Sequence, residues 1–276
     1  MISIKNKKLL AVAGLILSLG VFVTVASASH SWGKYHWNLS TAQSIANPLK
    51  LGDNLTTPAW SSSLTGASFD WNVSVLKNHV VAGTNTACDP VLGGVEVCNN
   101  TYGNNNWLGI AQIWAYRGKD GHIAQALVKV NDTYFSTPQY DTQAWRDFVI
   151  CQEVGHTFGL DHQDVNFSNT NLGTCMDYTN DPDGKLFVQL DNRHPNQHDY
   201  DMMTEIYAHI NSPSKGGNPG KGKGGGKPAG VGANIDLNNP SAWGQAVKKD
   251  ALGKNSLFER DLGNGQVLIT HVIWVK

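Results

Sequence analysis

Apolar and aromatic positions recur from Trp32 to about Ile210, broken only by short Gly or Asn segments, a pattern that can build one buried core. Within it, Leu108 to Tyr116 and Ile123 to Val130 read as two strands. They are joined across Arg117-Gly118-Lys119-Asp120-Gly121, whose Asp-Gly step signals a hairpin turn. A helix follows, with Ser136 or Thr137 as its cap and Pro138 in its first turn. Trp145, Phe148, Val149, Gln152 and His156 then recur at spacings of three and four, and Gly159 is placed to end the helix.

The pattern changes on either side of this core. Lys5, Lys7 and Lys8 precede an apolar stretch from Leu9 to Ala26 and the small residues Ala26-Ser27-Ala28, which reads as an export signal over residues 1–28 with a mature start at Ser29. An uncleaved membrane anchor is the alternative for that stretch; no other segment is apolar enough to cross a bilayer. Residues 29–212 form the candidate catalytic domain. Residues 213–232 are almost entirely Gly, Lys, Pro, Ser and Asn, a composition that cannot bury enough apolar surface to offset chain entropy, and they read as a linker. In the last piece, 233–276, Leu257 to Lys276 reads as a hairpin around Gly263-Asn264-Gly265, too small to be stable alone. It either docks on the main domain or binds something else, and the sequence does not choose.

Charge and cysteines narrow the class. With 21 basic and 22 acidic side chains among 276 residues, there is no electrostatic footprint for nucleic acid, and proteins or peptides are the expected partners of a monomer. Export to an oxidising compartment permits Cys88, Cys98, Cys151 and Cys175 to pair in any of three ways. Cys88 and Cys98 flank Pro90 and Gly93-Gly94, which suits a small closed loop and leaves Cys151 for Cys175. No Cys precedes Cys88, so latency through a cysteine-bearing propeptide is not expected.

The chemistry concentrates at the end of the predicted helix, Gln152-Glu153-Val154-Gly155-His156-Thr157-Phe158-Gly159-Leu160-Asp161-His162. Side chains four apart share a helix face, so Gln152 and His156 can grip one ion, and a turn at Gly159 lets His162 supply a third ligand. Glu153 lies beside them, where a carboxylate can take a proton from water. Ligands, an open position and a general base are the parts of a hydrolytic zinc site.

These residues resemble the metzincins, zinc peptidases whose signature is His-Glu-x-x-His-x-x-Gly-x-x-His followed by a turn carrying a Met beneath the metal. Thr174-Cys175-Met176-Asp177-Tyr178 matches that turn, and His198-Asp199-Tyr200-Asp201 into Ile206-Tyr207 resembles the closing helix of matrixin-type members. The resemblance covers roughly residues 32 to 210. It implies an α/β fold: a twisted, mostly parallel mixed sheet with an antiparallel edge strand, a backing helix, the active-site helix beneath, and an irregular C-terminal subdomain after Gly159. It also implies one catalytic Zn2+, an extended peptide lying antiparallel on the edge strand, Glu153 as general base, and Tyr178 stabilising the oxyanion.

The departure is Gln152, where the family has its first His. A Gln carbonyl oxygen is neutral, harder and weaker than imidazole, so weaker zinc binding is expected. A Cys151–Cys175 bond would tie the active-site helix to the Met turn and offset part of that loss by holding the ligand face and floor together. The expected function is that of a secreted zinc endopeptidase, released or retained at the cell surface. The alternative is a pseudopeptidase that binds peptides or a surface component without cleaving them. His30, His36, His79, His122, His209 and His271 read as packed or solvated residues, and His194 and His198 as part of a polar loop leading into the last helix.

Overall fold

The computed structural model describes residues 30–38, 47–84, 87–118, 121–208 and 236–276. The expected export signal and the linker over 213–232 lie outside the described residues, as do His209 and positions 119–120 of the predicted turn. Among the described residues, the strands are β1 (His36–Trp37), β2 (Leu49–Asn54), β3 (Asn78–Ala82), β4 (Gly94–Asn100), β5 (Trp107–Tyr116), β6 (His122–Asn131), β7 (Gln245–Lys249), β8 (Asn255–Gly263) and β9 (Gln266–Trp274). The helices are α1 (Pro58–Trp71), α2 (Asp132–Phe135), α3 (Gln143–Thr157) and α4 (Gln197–Ile206).

All nine strands join one mixed sheet in the order β3-β2-β4-β6-β5-β9-β8-β7, with β1 pairing parallel to β6. The β3-β2-β4-β6 half is parallel; from β6 onward every pairing is antiparallel. This is the α/β class expected from the sequence. The strand alternation places Val95, Val97, Ala126, Val128, Val130, Ala111 and Ile113 in the main core, with Phe148, Val149 and Val154 of α3 and Leu64 and Trp71 of α1. On the other face, Trp107, Ile110, Trp243, Phe258 and Val272 form a second cluster that takes in the C-terminal segment.

Two expectations are corrected. Helix α3 begins at Gln143, after Thr142, whose side chain accepts the Trp145 N–H; Ser136 and Thr137 do not cap it. The chain from Ser136 to Thr142 is instead folded into turns, with Tyr140 and Asp141 N–H groups both donating to the Thr137 carbonyl, so the turn containing Pro138 precedes the helix. The antiparallel strand β5 is also not an edge: β6 flanks it on one side and β9 on the other, from Trp107 opposite Trp274 to Tyr116 opposite Gln266. The C-terminal hairpin therefore docks on the main sheet. Its alternating Val267, Ile269 and Ile273 are apolar enough to extend the core, and β9 satisfies backbone groups that β5 would otherwise expose.

Candidate active site

Helix α3 carries the first part of the site, and its end is held by side chains from distant elements. The terminal carbonyls of a helix have no intrahelical partner. Here Trp32 Nε1 donates to the His156 carbonyl at 2.9 Å, Trp37 Nε1 to Thr157 at 2.8 Å and the Tyr207 hydroxyl to Phe158 at 2.9 Å. Gly159 then takes φ +107°, which any side chain would strain, and a Cβ there would stand 2.8 Å from the Tyr35 carbonyl oxygen. The chain turns back, and Asp161 and His162 come under the helix end.

The two histidines face one another. The His156 Nδ1–H donates to the Leu160 carbonyl at 2.8 Å, which leaves Nε2 with a lone pair. His162 Nδ1 lies 3.5 Å from Asp161 Oδ1, which assigns its hydrogen to that side as well. The two Nε2 atoms are nevertheless 3.0 Å apart, a separation at which two lone pairs repel unless a cation or a proton lies between them. Burial, and then the His271 and His162 rings, hold His156 well below the ordinary imidazole value. Asp161 is held below the usual carboxylate range: burial opposes its charge, but His162, His271 and Lys248 outweigh that opposition.

Gln152, one turn before His156 on α3, and Glu153 next to it in the chain are fully buried. Gln152 Nε2 donates to the Cys175 carbonyl at 2.9 Å, leaving its Oε1 buried with no partner. Neither carboxylate oxygen of Glu153 has a hydrogen-bond partner, and burial pushes its carboxyl well above the usual range. Buried polar atoms are normally satisfied, and an orphan calls for an explanation such as a catalytic role, a water or an ion. The two facing imidazole lone pairs suit a zinc ion in donor type, and the unpartnered Gln152 oxygen is a harder, weaker donor beside them on the helix face of His156. Among the described residues, no three His, Cys, Asp or Glu side chains already surround a common point.

The Met turn forms the floor. Met176 is buried under α3, so close that a Cβ on Gly155 would lie 2.6 Å from its Sδ. The turn is pinned by Gln163 N–H on the Met176 carbonyl, Tyr178 N–H on the Asp164 carbonyl, and Thr174 Oγ1 on Asp199. Disulfides join Cys88 to Cys98 and Cys151 to Cys175, the second linking α3 to the residue before Met176. The Tyr178 ring stands edge-on to His162 with centroids 4.5 Å apart, and its hydroxyl donates to the Val272 carbonyl of β9 at 3.1 Å. Burial raises the Tyr178 hydroxyl well above its ordinary value, so it is held as a donor.

His271 is the site neighbour that sequence reasoning missed. It lies on β9 opposite Ala111, its ring stacked on His156 with centroids 4.0 Å apart and 15° between planes. It is fully buried, neither ring nitrogen has a hydrogen-bond partner, and burial pushes it down to about 3. A signal was present: His271 is in phase with Val267, Ile269 and Ile273, the inward positions of its strand. Of the other histidines, His194 pairs with Asp70, and His30 pairs with Asp199 and stacks on His198 with ring centroids 4.6 Å apart. The site is closed from solvent, with His162 the most accessible of its imidazoles at 9% exposure. A surface cavity of about 760 Å³, lined by Phe167, Ser168, Asn180, Phe187 and Lys276 among others, does not reach Glu153 or either histidine.

No family model and no curated protein matches this sequence. Among solved structures, "Structure of Myroilysin" is similar with a TM-score of 0.34 and 12% identity, over 61% of this chain and 82% of that one. A likeness at that level decides neither the family nor the activity of this chain. Among the described residues, no helix is long and apolar enough to cross a membrane.

Proposed function

We propose that this chain is a secreted zinc-dependent endopeptidase of metzincin type, in which His156, His162 and Gln152 Oε1 hold one zinc ion. The observation that carries the reading is the pair of imidazole nitrogens facing at 3.0 Å, with a partnerless, buried Glu153 on the helix that carries His156. When bound, zinc would supply a Lewis acid that polarises the scissile carbonyl and makes water easier to deprotonate. Glu153 takes the proton from the attacking water and delivers it to the departing amine, and its burial favours the protonated form it must pass through. Tyr178 is a donor aimed at a backbone carbonyl, the contact that would stabilise a tetrahedral oxyanion. The Asp161 carboxylate keeps His162 in the tautomer that leaves Nε2 free. Two disulfides are in keeping with secretion.

The second reading is a secreted pseudopeptidase that binds peptides without cleaving them. It is favoured by the neutral Gln152, whose amide is already engaged by the Cys175 carbonyl. Elemental mass spectrometry on chain purified without chelator separates the two. The endopeptidase reading expects about one zinc per chain, cleavage abolished by chelator, and a Glu153→Ala variant that keeps the metal but no longer cleaves. A chain that takes up no metal when zinc is offered, or a Glu153→Ala variant as fast as the parent, ends that mechanism.

A further inference from the structure

The hairpin of β8 and β9 brings nothing that a hydrolytic centre requires, yet it lies across the centre. Strand β9 runs antiparallel along β5, the direction an extended peptide would take on that strand. Two contacts midway along it, and two more from β7 and the residues after it, reach the site. The Val272 carbonyl accepts the Tyr178 hydroxyl, the donor that would otherwise serve a substrate carbonyl. One residue earlier, His271 lies flat on His156. Lys248 of β7 pairs with Asp161, the carboxylate that orients His162, and Ala251 N–H donates to the Val165 carbonyl at 3.2 Å.

His271 itself is a poor residue for mere packing. A buried imidazole with two unsatisfied nitrogens costs about 1–3 kcal/mol relative to a satisfied or apolar group. The elements that carry the candidate site, β2 to β6 with α1 and α3, build most of the core on one face of the sheet, to which the hairpin adds Leu257, Val267, Ile269 and Ile273. Strand β7, at the far end, is exposed throughout.

From this geometry we infer that the C-terminal hairpin is an intramolecular occupant of the peptide position on β5, which keeps the site latent, and that activity requires its release. The inference rests on the peptidase reading above. A strand tethered through residues 213–232 meets its site at an effective concentration of about a millimolar. A free peptide of similar affinity competes poorly against it at any concentration well below that value.

The test uses the full chain, given one recognition site for a sequence-specific protease between residues 213 and 232 and cut after folding. The cut chain is expected to exchange its C-terminal piece for a dye-labelled synthetic peptide of residues 255–276, which the uncut chain excludes. Loaded with zinc, the cut chain is expected to cleave a fluorogenic peptide about tenfold faster or more at low substrate, from relief of the tethered competitor. Added unlabelled 255–276 peptide should raise its KM and leave kcat unchanged. Equal cleavage by cut and uncut chains overturns the inference. So does a cut chain that never admits the labelled peptide, or one that loses its near-ultraviolet circular dichroism as the piece leaves, since β9 would then be permanent core. Exchange of the labelled peptide without zinc binding or cleavage leaves the occupant in place and removes the peptidase reading instead.

Discussion

At Gly155 a single methyl group is enough to disturb the floor of the site. A Cβ there would stand 2.6 Å from Met176 Sδ and 2.7 Å from Cζ2 of the Trp71 indole, and the indole is itself fixed by its N–H on the Cys151 carbonyl. Gly155→Ala is therefore expected to destabilise the fold by about 1–3 kcal/mol, the usual cost of overpacking, read from the midpoint of guanidinium unfolding. An unchanged midpoint would show that the Met176 thioether swings aside freely. The approach of His156 and His162 is legible in their spacing because helix geometry and one glycine turn set where they lie. His271 was not legible in the same way. Its strand phase marks it as inward, but only the partner of that strand says what it faces.

At the scale of elements, α3 and the Met turn behave as one unit. The Cys151–Cys175 bond closes a sequence separation of 24 residues, and the loop it spans contains both the Gly159 turn and His162. Closing a loop of that size is worth about 3 kcal/mol through the unfolded chain. The double variant Cys151→Ala, Cys175→Ala is expected to unfold about 6–12 °C lower in a thermal scan. If the melting temperature holds, the network of Gln163, Thr174 and Asp199 is fixing the turn unaided. The start of α3 shows why element boundaries read less well than element interiors. Pro138 fits a first helical turn by its φ, but Thr142 offers a side-chain acceptor just where the apolar face of the helix begins, and that cap prevails.

At the scale of the molecule, the C-terminal segment covers both an edge and a face of the sheet. On the face opposite α3, Lys129 Nζ donates to Asn238 at 2.9 Å and lies 5.7 Å from the Tyr102 ring centre, while Gln112 and Trp107 donate to the carbonyls of Leu237 and Asn238. Burial pulls the Lys129 ammonium down to about 8, against the pull of Asp236 and Asp89 in the other direction. The folded chain thus binds this proton less tightly than the unfolded chain does. The penalty is full below pH 8 and fades as pH rises toward 10.5, the ordinary value for Lys. Lys129→Met is accordingly expected to stabilise the fold at pH 7 by up to about 3 kcal/mol, with the gain shrinking toward pH 10.5, as urea unfolding at the two pH values would read. Destabilisation at pH 7 would mean that the contact with Asn238 outweighs the desolvation it opposes.

Local pattern was enough for what depends on neighbours along the chain: the β5–β6 hairpin, the face of α3 shared by Gln152 and His156, the turn at Gly159 and the hairpin read over Leu257 to Lys276. Helical periods, turn residues and strand phases act over a few residues, so they are written in the order of the chain. The tertiary structure decided that β5 is interior, that Val272 receives the Tyr178 hydroxyl and that His271 lies on His156. The backbone hydrogen bonds of every strand edge are alike, so sequence pattern does not name the partner of β5. That choice falls to whichever apolar strand packs best across the core, and here it is β9, from the other end of the chain.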